Sequence, residues 1–343
     1  MYALSLRLIS SLYSLRYAWF MTNPRIVFLD VDTEDTAHIQ SRFPEAAIYG
    51  PGLHSQELLD ACLEADVISC FITTKFPVEI LAQLPKLKLL CTRSVGYDHI
   101  DINYCNEKGI TVANVPDYGS HVIAEHVFAL LLGTMRHITE GHRRVKEGRF
   151  DYHGLRGLAL QGKTLGIVGT GKIGRKVAKI AHGFGMKIIA YDVFQVLELT
   201  QEFGLRYVEL PELMAQSDII TLHAPSLPTT MHMINKESIA QMKNGVILIN
   251  TARGSLIDSS ALLEALDTGK IRVALLDVLE NEANVQTDSR LVHHPSVVTT
   301  PHIAFYADDS VHTMYEDSFT SIDEWAKEGK PAHTVQPIHV IKS

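Results

Sequence analysis

Three polar residues of this 343-residue chain each fall just beyond an apolar, strand-like run: Arg253 after "VILINTA", Glu282 after "VALLDVLEN" and His302 after "SVVTTP". An arginine offers a rigid fork of donors that grips a carboxylate through two bonds and polarises a neighbouring carbonyl. A histidine beside a carboxylate keeps its proton near neutral pH, because the adjacent negative charge favours the imidazolium. The combination suits proton transfer to or from an anionic substrate. Taken singly, the arginine reads as the partner of a nearby acid and the histidine as a satisfied core residue. The functional reading rests on position, since ligands of doubly wound sheets bind beyond the carboxyl ends of the strands.

A second group of residues suits a dinucleotide. In "TLGIVGTGKIGRKVAKIA", Gly169, Gly171 and Gly174 form G-x-G-x-x-G between an apolar strand and a helical run. The first glycine allows the tight turn, the second lets pyrophosphate approach the backbone, and the third lets helix and strand pack closely. The helix amino end then meets the phosphates. The next strand, "KIIAYD", ends in Asp192, where a carboxylate can accept from ribose hydroxyls and would repel a 2′-phosphate. Val193 and Phe194 follow, with no arginine to receive that phosphate. NAD is expected rather than NADP.

These residues need a sheet to hold them. From Arg25 to Val115, runs such as "RIVFLDV", "VISCFI" and "ITVANV" alternate with helical stretches, and a second such series begins at Thr164. The pattern predicts two α/β domains with parallel sheets. Between them "SHVIAEHVFALLLGTMRHITEGHRRVKEG" reads as one helix of roughly 40 Å, with Ser120 as its N-cap, joining domains or pairing subunits. Near the end, Val311, Met314, Phe319, Ile322 and Trp325 recur at helical spacing. His121, His126, His293 and His294 read as packing or loop residues, and no zinc-like spacing accompanies them.

Composition narrows the classes. With 31 Lys+Arg against 39 Asp+Glu, a net charge of −8 and no basic run, nucleic acid is not expected as a partner. Four cysteines without a CxxC pair suit free thiols in a reducing cytoplasm. Residues 1–20 carry Arg7, Arg16 and no acid, which fits either a transit segment or a start assigned one methionine before Met21. Arginines interrupt the apolar run, so no membrane span is expected there.

The motifs "TRSVGYDHID", "NVPDYGSHVIAEH", "GIVGTGKIG", "LINTARGSLID", "LLDVLENE" and "TPHIAFY" together resemble the D-isomer-specific 2-hydroxyacid dehydrogenases, most closely the D-lactate dehydrogenase branch. The resemblance runs from about Arg25 to the C-terminus. It implies that Arg253 binds the substrate carboxylate, that His302 is the general acid/base and that Glu282 holds the histidine and raises its pKa. Val95 and Gly96 would face the same carboxylate through their backbone, with Tyr118 and Tyr306 near the substrate. Lys172, Ile173, Pro225, Thr251, Ala252 and Asp277 would join the glycines and Asp192 around NAD. The implied architecture is a flavodoxin-like substrate domain of residues 21–118 and 305–343, a Rossmann domain of residues 119–304, and an active-site cleft between them. A homodimer through the helix after Ser120 is also implied.

The implied reaction is reversible hydride transfer between NADH and a small 2-oxo acid, with D-lactate/pyruvate as the first reading. One departure bears on that choice: Thr73 stands where lactate-branch members carry an aromatic residue, with Phe71 two positions earlier. Hydroxypyruvate, glyoxylate, a larger 2-oxo acid or phosphite is the alternative. Some relatives use this fold as an NAD(H)-sensing corepressor, which is the non-enzymatic alternative.

Overall fold

The structure, a computed structural model, describes residues 24–336. The extension considered over residues 1–20 lies outside them. The chain forms two compact units, one made of the described residues up to Tyr118 with those from Asp308 on, the other of Gly119–Ala307.

In the first unit, strands β1 (Ile26–Phe28), β2 (Ala47–Ile48), β3 (Val67–Cys70), β4 (Leu89–Thr92) and β5 (Thr111–Asn114) form a parallel sheet of order β2-β1-β3-β4-β5. Parallel strands are buried on both faces, and β1, β3 and β4 are accordingly unbroken apolar or small runs such as "VISC" and "LLCT". The helix Asp308–Glu328 covers one face, burying Met314, Phe319 and Ile322 as their spacing predicts. Phe28 meets Phe319 edge to face at 5.8 Å. Cys62, Cys70, Cys91 and Cys105 are all free and buried, and burial pushes the Cys62, Cys91 and Cys105 thiols up to about 12.

The second unit holds β6 (Thr164–Val168), β7 (Lys187–Tyr191), β8 (Arg206–Tyr207), β9 (Ile219–Leu222), β10 (Val246–Asn250), β11 (Ile271–Leu276) and β12 (Val297–Thr299). They form a parallel sheet of order β12-β11-β10-β9-β6-β7-β8. Because all seven strands point the same way, the turns after β6, β9, β10, β11 and β12 emerge at one edge. The strand order reverses between β6 and β9, so the glycine-rich turn after β6 opens at the switch point.

The long helix expected after Ser120 is two helices, Ser120–Met135 and Ile138–Lys146. His137 breaks it by adopting a left-handed conformation, φ 53°. The cause is a later segment: the Leu158 amide donates to the Met135 carbonyl at 3.0 Å, and a Cβ on Gly157 would lie 2.5 Å from that oxygen. The crossing strand of chain thus occupies a carbonyl at the helix end that would otherwise lack a partner. The N-cap is Gly119, and Ser120 is instead the first helical residue, buried.

Candidate active site

β10, β11 and β12 are neighbours, so the turns beyond them bring Arg253, Glu282 and His302 to one stretch of the sheet edge. His302 Nδ1 lies 3.0 Å from Glu282 Oε2. That contact fixes the ring and leaves Nε2 as the nitrogen suited to exchange a proton with a substrate. The histidine backbone is left-handed, φ 55°, an uncommon conformation for a side chain of this size.

The strained turn is held by a residue expected at the cofactor. Asp277 is buried, and its Oδ1 accepts from Thr300 Oγ1 at 2.5 Å and the Ile303 amide at 2.9 Å, while its Oδ2 accepts from the Ala304 amide at 2.9 Å. Its carbonyl also accepts from the His302 amide at 2.9 Å. Four bonds from one aspartate therefore over-determine the conformation that presents His302. His126, read from sequence as a packing residue, joins the same network, its Nε2 lying 3.2 Å from Thr300 Oγ1 and 3.6 Å from Asp277 Oδ1. No periodicity or motif signals these roles, because Asp277 meets the next strand's turn 23 to 27 residues on, and His126 reaches the network from a helix 174 residues before Thr300.

Arg253 is set by a smaller device. Buried Asn250 donates to the Arg253 carbonyl at 2.9 Å and accepts from the Ala252 amide at 3.0 Å, curling the chain as it leaves β10. A Cβ on Gly254 would fall 1.9 Å from the Leu279 carbonyl, so only glycine lets this turn press against the segment leading to Glu282.

In the glycine-rich turn the three glycines are packed differently. Gly169 has φ +94°, and a Cβ there would meet the His223 carbonyl at 2.7 Å. A Cβ on Gly174 would lie 2.1 Å from the Gly169 carbonyl, whereas one on Gly171 would meet nothing within 4 Å. Open space over Gly171, with close packing at the other two, is what an approaching pyrophosphate requires. Lys172 and Ile173 begin the helix Lys172–Gly183 immediately after it. Asp192, one residue past β7, reaches this turn, its Oδ2 accepting from the Thr170 amide at 2.5 Å and its Oδ1 from the Phe194 amide at 2.9 Å. Arg175, which sequence reading passed over, donates from Nε to the Thr170 carbonyl at 3.2 Å.

Two buried polar atoms at this sheet edge lack hydrogen bonds, His223 Nδ1 beyond β9, whose carbonyl faces Gly169, and Thr251 Oγ1 beyond β10. Burial pulls the His223 imidazole down to about 3, so the ring is neutral. Pro225 lies two residues further along the same exposed loop. Orphaned groups of this kind, with the open glycine, fit a dinucleotide whose own polar atoms would complete them.

The other predicted substrate residues are in the first unit. Val95 and Gly96 follow β4, with the Val95 carbonyl accepting from Asn114 Nδ2 at 2.9 Å and the Gly96 carbonyl from Ser94 Oγ at 2.6 Å. Tyr118 is buried at the end of that unit, whereas Tyr306, in the second, is 46% exposed. Sequence reading left Arg93 unassigned. It is fully buried, donating to the carbonyls of Leu29, Asp30 and Ser69 and lying 4.8 Å from the Tyr315 ring.

A histidine fixed by a carboxylate at the same sheet edge as a glycine-rich dinucleotide turn suits an NAD-dependent oxidoreductase, and comparison with known proteins shows one acting on CH–OH groups. Residues 128–304 match the family described as D-isomer specific 2-hydroxyacid dehydrogenase, NAD binding domain, and the chain belongs to that family. It is 40% identical over 279 residues to the D-3-phosphoglycerate dehydrogenase of Methanocaldococcus jannaschii, which covers 81% of this chain but only 53% of that longer protein. It is 36% identical to the hydroxypyruvate reductase of Blautia hydrogenotrophica, over 82% of this chain and 88% of that one. Among solved structures, the D-lactate dehydrogenase of Aquifex aeolicus complexed with NAD and lactic acid superposes with a TM-score of 0.81 at 35% identity, covering 90% of this chain and 99% of that one.

Proposed function

We propose that this protein reduces a small 2-oxo acid to the D-2-hydroxy acid, with pyruvate and D-lactate as the first pair. The observation that carries the reading is the 3.0 Å contact of His302 Nδ1 with Glu282 Oε2, beside the strand end that bears Arg253. When bound, NADH supplies the hydride. Arg253 holds the substrate carboxylate as a bidentate partner, with the Val95 and Gly96 amides as the second contact implied by resemblance. His302 gives its Nε2 proton to the oxygen on C2 as negative charge develops there, and Glu282 holds the ring through Nδ1 during the transfer. Asp277, through the turn it builds, keeps that ring in place.

A second reading, hydroxypyruvate or glyoxylate reduction, is favoured by Thr73. This residue is exposed in the loop after β3, which Asp30 anchors by accepting from the Phe71 amide at 2.9 Å and Thr74 Oγ1 at 2.7 Å. A threonine leaves more room and a hydroxyl where an aromatic ring would select a methyl group. The decisive assay follows NADH oxidation against pyruvate, hydroxypyruvate, glyoxylate and larger 2-oxo acids. Highest kcat/KM on pyruvate supports the first reading and on hydroxypyruvate or glyoxylate the second; no oxidation with any 2-oxo acid overturns both.

Further features support a homodimer in the cytoplasm. Ile138, Val145, Phe150 and Tyr152 are exposed on and after the second of the two helices following Ser120, and Phe150 is 96% exposed. A cluster of that kind suits a second copy of the chain, and light scattering at the monomer mass would remove this assignment. Four buried free thiols suit a reducing compartment. Among the described residues, no helix is long and apolar enough to cross a membrane.

A further inference from the structure

The geometry points to a second site in the first unit: a divalent cation of the zinc class held by His38, His312 and Glu316. His38 lies on the helix Thr36–Arg42, and the other two lie one turn apart on the helix Asp308–Glu328. Residues at i and i+4 share a helix face, so an imidazole and a carboxylate project together toward His38. One donor atom from each residue lies within 4.8 Å of the other two.

His38 is held where the two helices meet. Its Nε2 is sealed from solvent and lies 2.9 Å from Glu316 Oε1, an ion-pair contact that a bound cation would replace. The ring is also packed among aromatic rings, with centroids 5.2 Å from Phe319 and 6.2 Å from Tyr315, and it lies 5.3 Å from the His312 ring. Two imidazoles and one carboxylate, their donor atoms within 4.8 Å of one another, make a nitrogen-rich donor set that suits zinc and its neighbours and is poor for magnesium or calcium.

The fit requires little movement. Bonds of about 2.0–2.1 Å in a tetrahedron place ligand atoms about 3.4 Å apart. Donors spread over at most 4.8 Å need only side-chain rotation, and His312 and Glu316 are exposed and able to rotate. The backbones are clamped independently by the Arg42–Asp323 ion pair and by Phe43 packing on Phe319 at 5.3 Å. The fourth position would belong to water. Bound metal would tie the helix Thr36–Arg42 to the helix Asp308–Glu328 and so stabilise the unit by linkage. None of the three ligands belongs to the catalytic set.

The test uses the full chain after chelator treatment, titrated calorimetrically with zinc and separately with magnesium, with melting followed in parallel. One zinc per chain is expected, with a melting-temperature rise of about 5 °C at hundredfold excess over the dissociation constant, and no response to magnesium. His312→Gln, an exposed change, should weaken zinc binding at least tenfold and remove the melting shift while leaving the NADH oxidation rate unchanged. Absence of saturable zinc binding, or unchanged affinity in His312→Gln, would overturn the site. Glu316→Gln repeats the test with the second exposed ligand and the same two outcomes.

Discussion

Both units are doubly wound, and each sheet reverses its strand order once, at β1/β3 in the first and at β6/β9 in the second. The two crevices are treated in opposite ways. At β1/β3 the crevice is filled from within: Asp30 accepts from the Phe71 amide and Thr74 hydroxyl, and Arg93 donates through its terminal nitrogens to the carbonyls of Leu29, Asp30 and Ser69, with its Nε alone lacking a partner. At β6/β9 the turn is glycine, a Cβ on Gly171 would touch nothing, and Thr251 Oγ1 and His223 Nδ1 are left over. One topology thus carries a crevice left open over glycine in one unit and a crevice filled by a side chain in the other. A crevice filled by a buried arginine serves as scaffold for the loops around it.

The largest effect expected belongs to the left-handed turn that presents His302 in the second unit. His302→Ala should lower turnover by about 10² to 10⁴-fold, the usual contribution of a positioned proton donor, while NADH affinity measured by fluorescence stays near wild type. Normal turnover in that variant would remove His302 from the chemistry. Loss of NADH binding in a folded variant would mean that the catalytic turn and the β6/β9 crevice are one unit, blurring the contrast.

Next in size is the filled crevice. Arg93→Met removes the donors to the Leu29, Asp30 and Ser69 carbonyls, of which Ser69 keeps the Leu29 amide, and should cost about 1–3 kcal/mol of stability in urea unfolding. NADH affinity should not change. An unaltered unfolding midpoint would show that the arginine is a passenger in that crevice.

The open crevice can be probed by one added methyl group at two positions. In Gly171→Ala the methyl has room, so the apo protein should melt normally while NADH binds about tenfold more weakly, or ~1.4 kcal/mol. Gly174→Ala forces a Cβ to 2.1 Å from the Gly169 carbonyl and should lower stability and affinity together. If Gly171→Ala bound NADH normally, the space over that glycine would not be where pyrophosphate lies.

Much of this site was legible in the sequence because its signals are local. A G-x-G-x-x-G turn between strand and helix carries its geometry in six residues, and Asp192, Arg253, Glu282 and His302 each follow an apolar run that announces a strand end. What stayed hidden depends on partners far along the chain. The Asp277 network joins residues 126, 277 and 300, and Arg93 reads as an ordinary charged residue until β1 and β3 are seen flanking it. The break at His137 was hidden for the same reason: the sequence from Ser120 is continuously helix-competent, and a segment near residue 157 ends the first helix from outside. The alternation of β-rich and helical runs, by contrast, predicted both parallel sheets.

The smallest effect is silent at neutral pH and tests whether the open crevice has a folding cost. His223 is held neutral by burial, its ionisation pulled from 6.5 to about 3, with Nε2 against Thr221 Oγ1 at 2.9 Å and Nδ1 unpartnered. The unfolded chain takes up a proton near pH 6.5 and the folded chain does not until about pH 3. Stability is therefore fully present above pH 6.5 and declines as pH falls toward 3, by at most about 1.4 kcal/mol per pH unit from this group. His223→Gln, which has no such proton to bind, should flatten unfolding free energy against pH within that window and leave it unchanged at pH 7.5. An acid-side slope identical to wild type would mean that His223 exchanges protons freely in the folded protein, and the β6/β9 crevice would then be wetter, and less costly to keep open, than its orphaned atoms indicate.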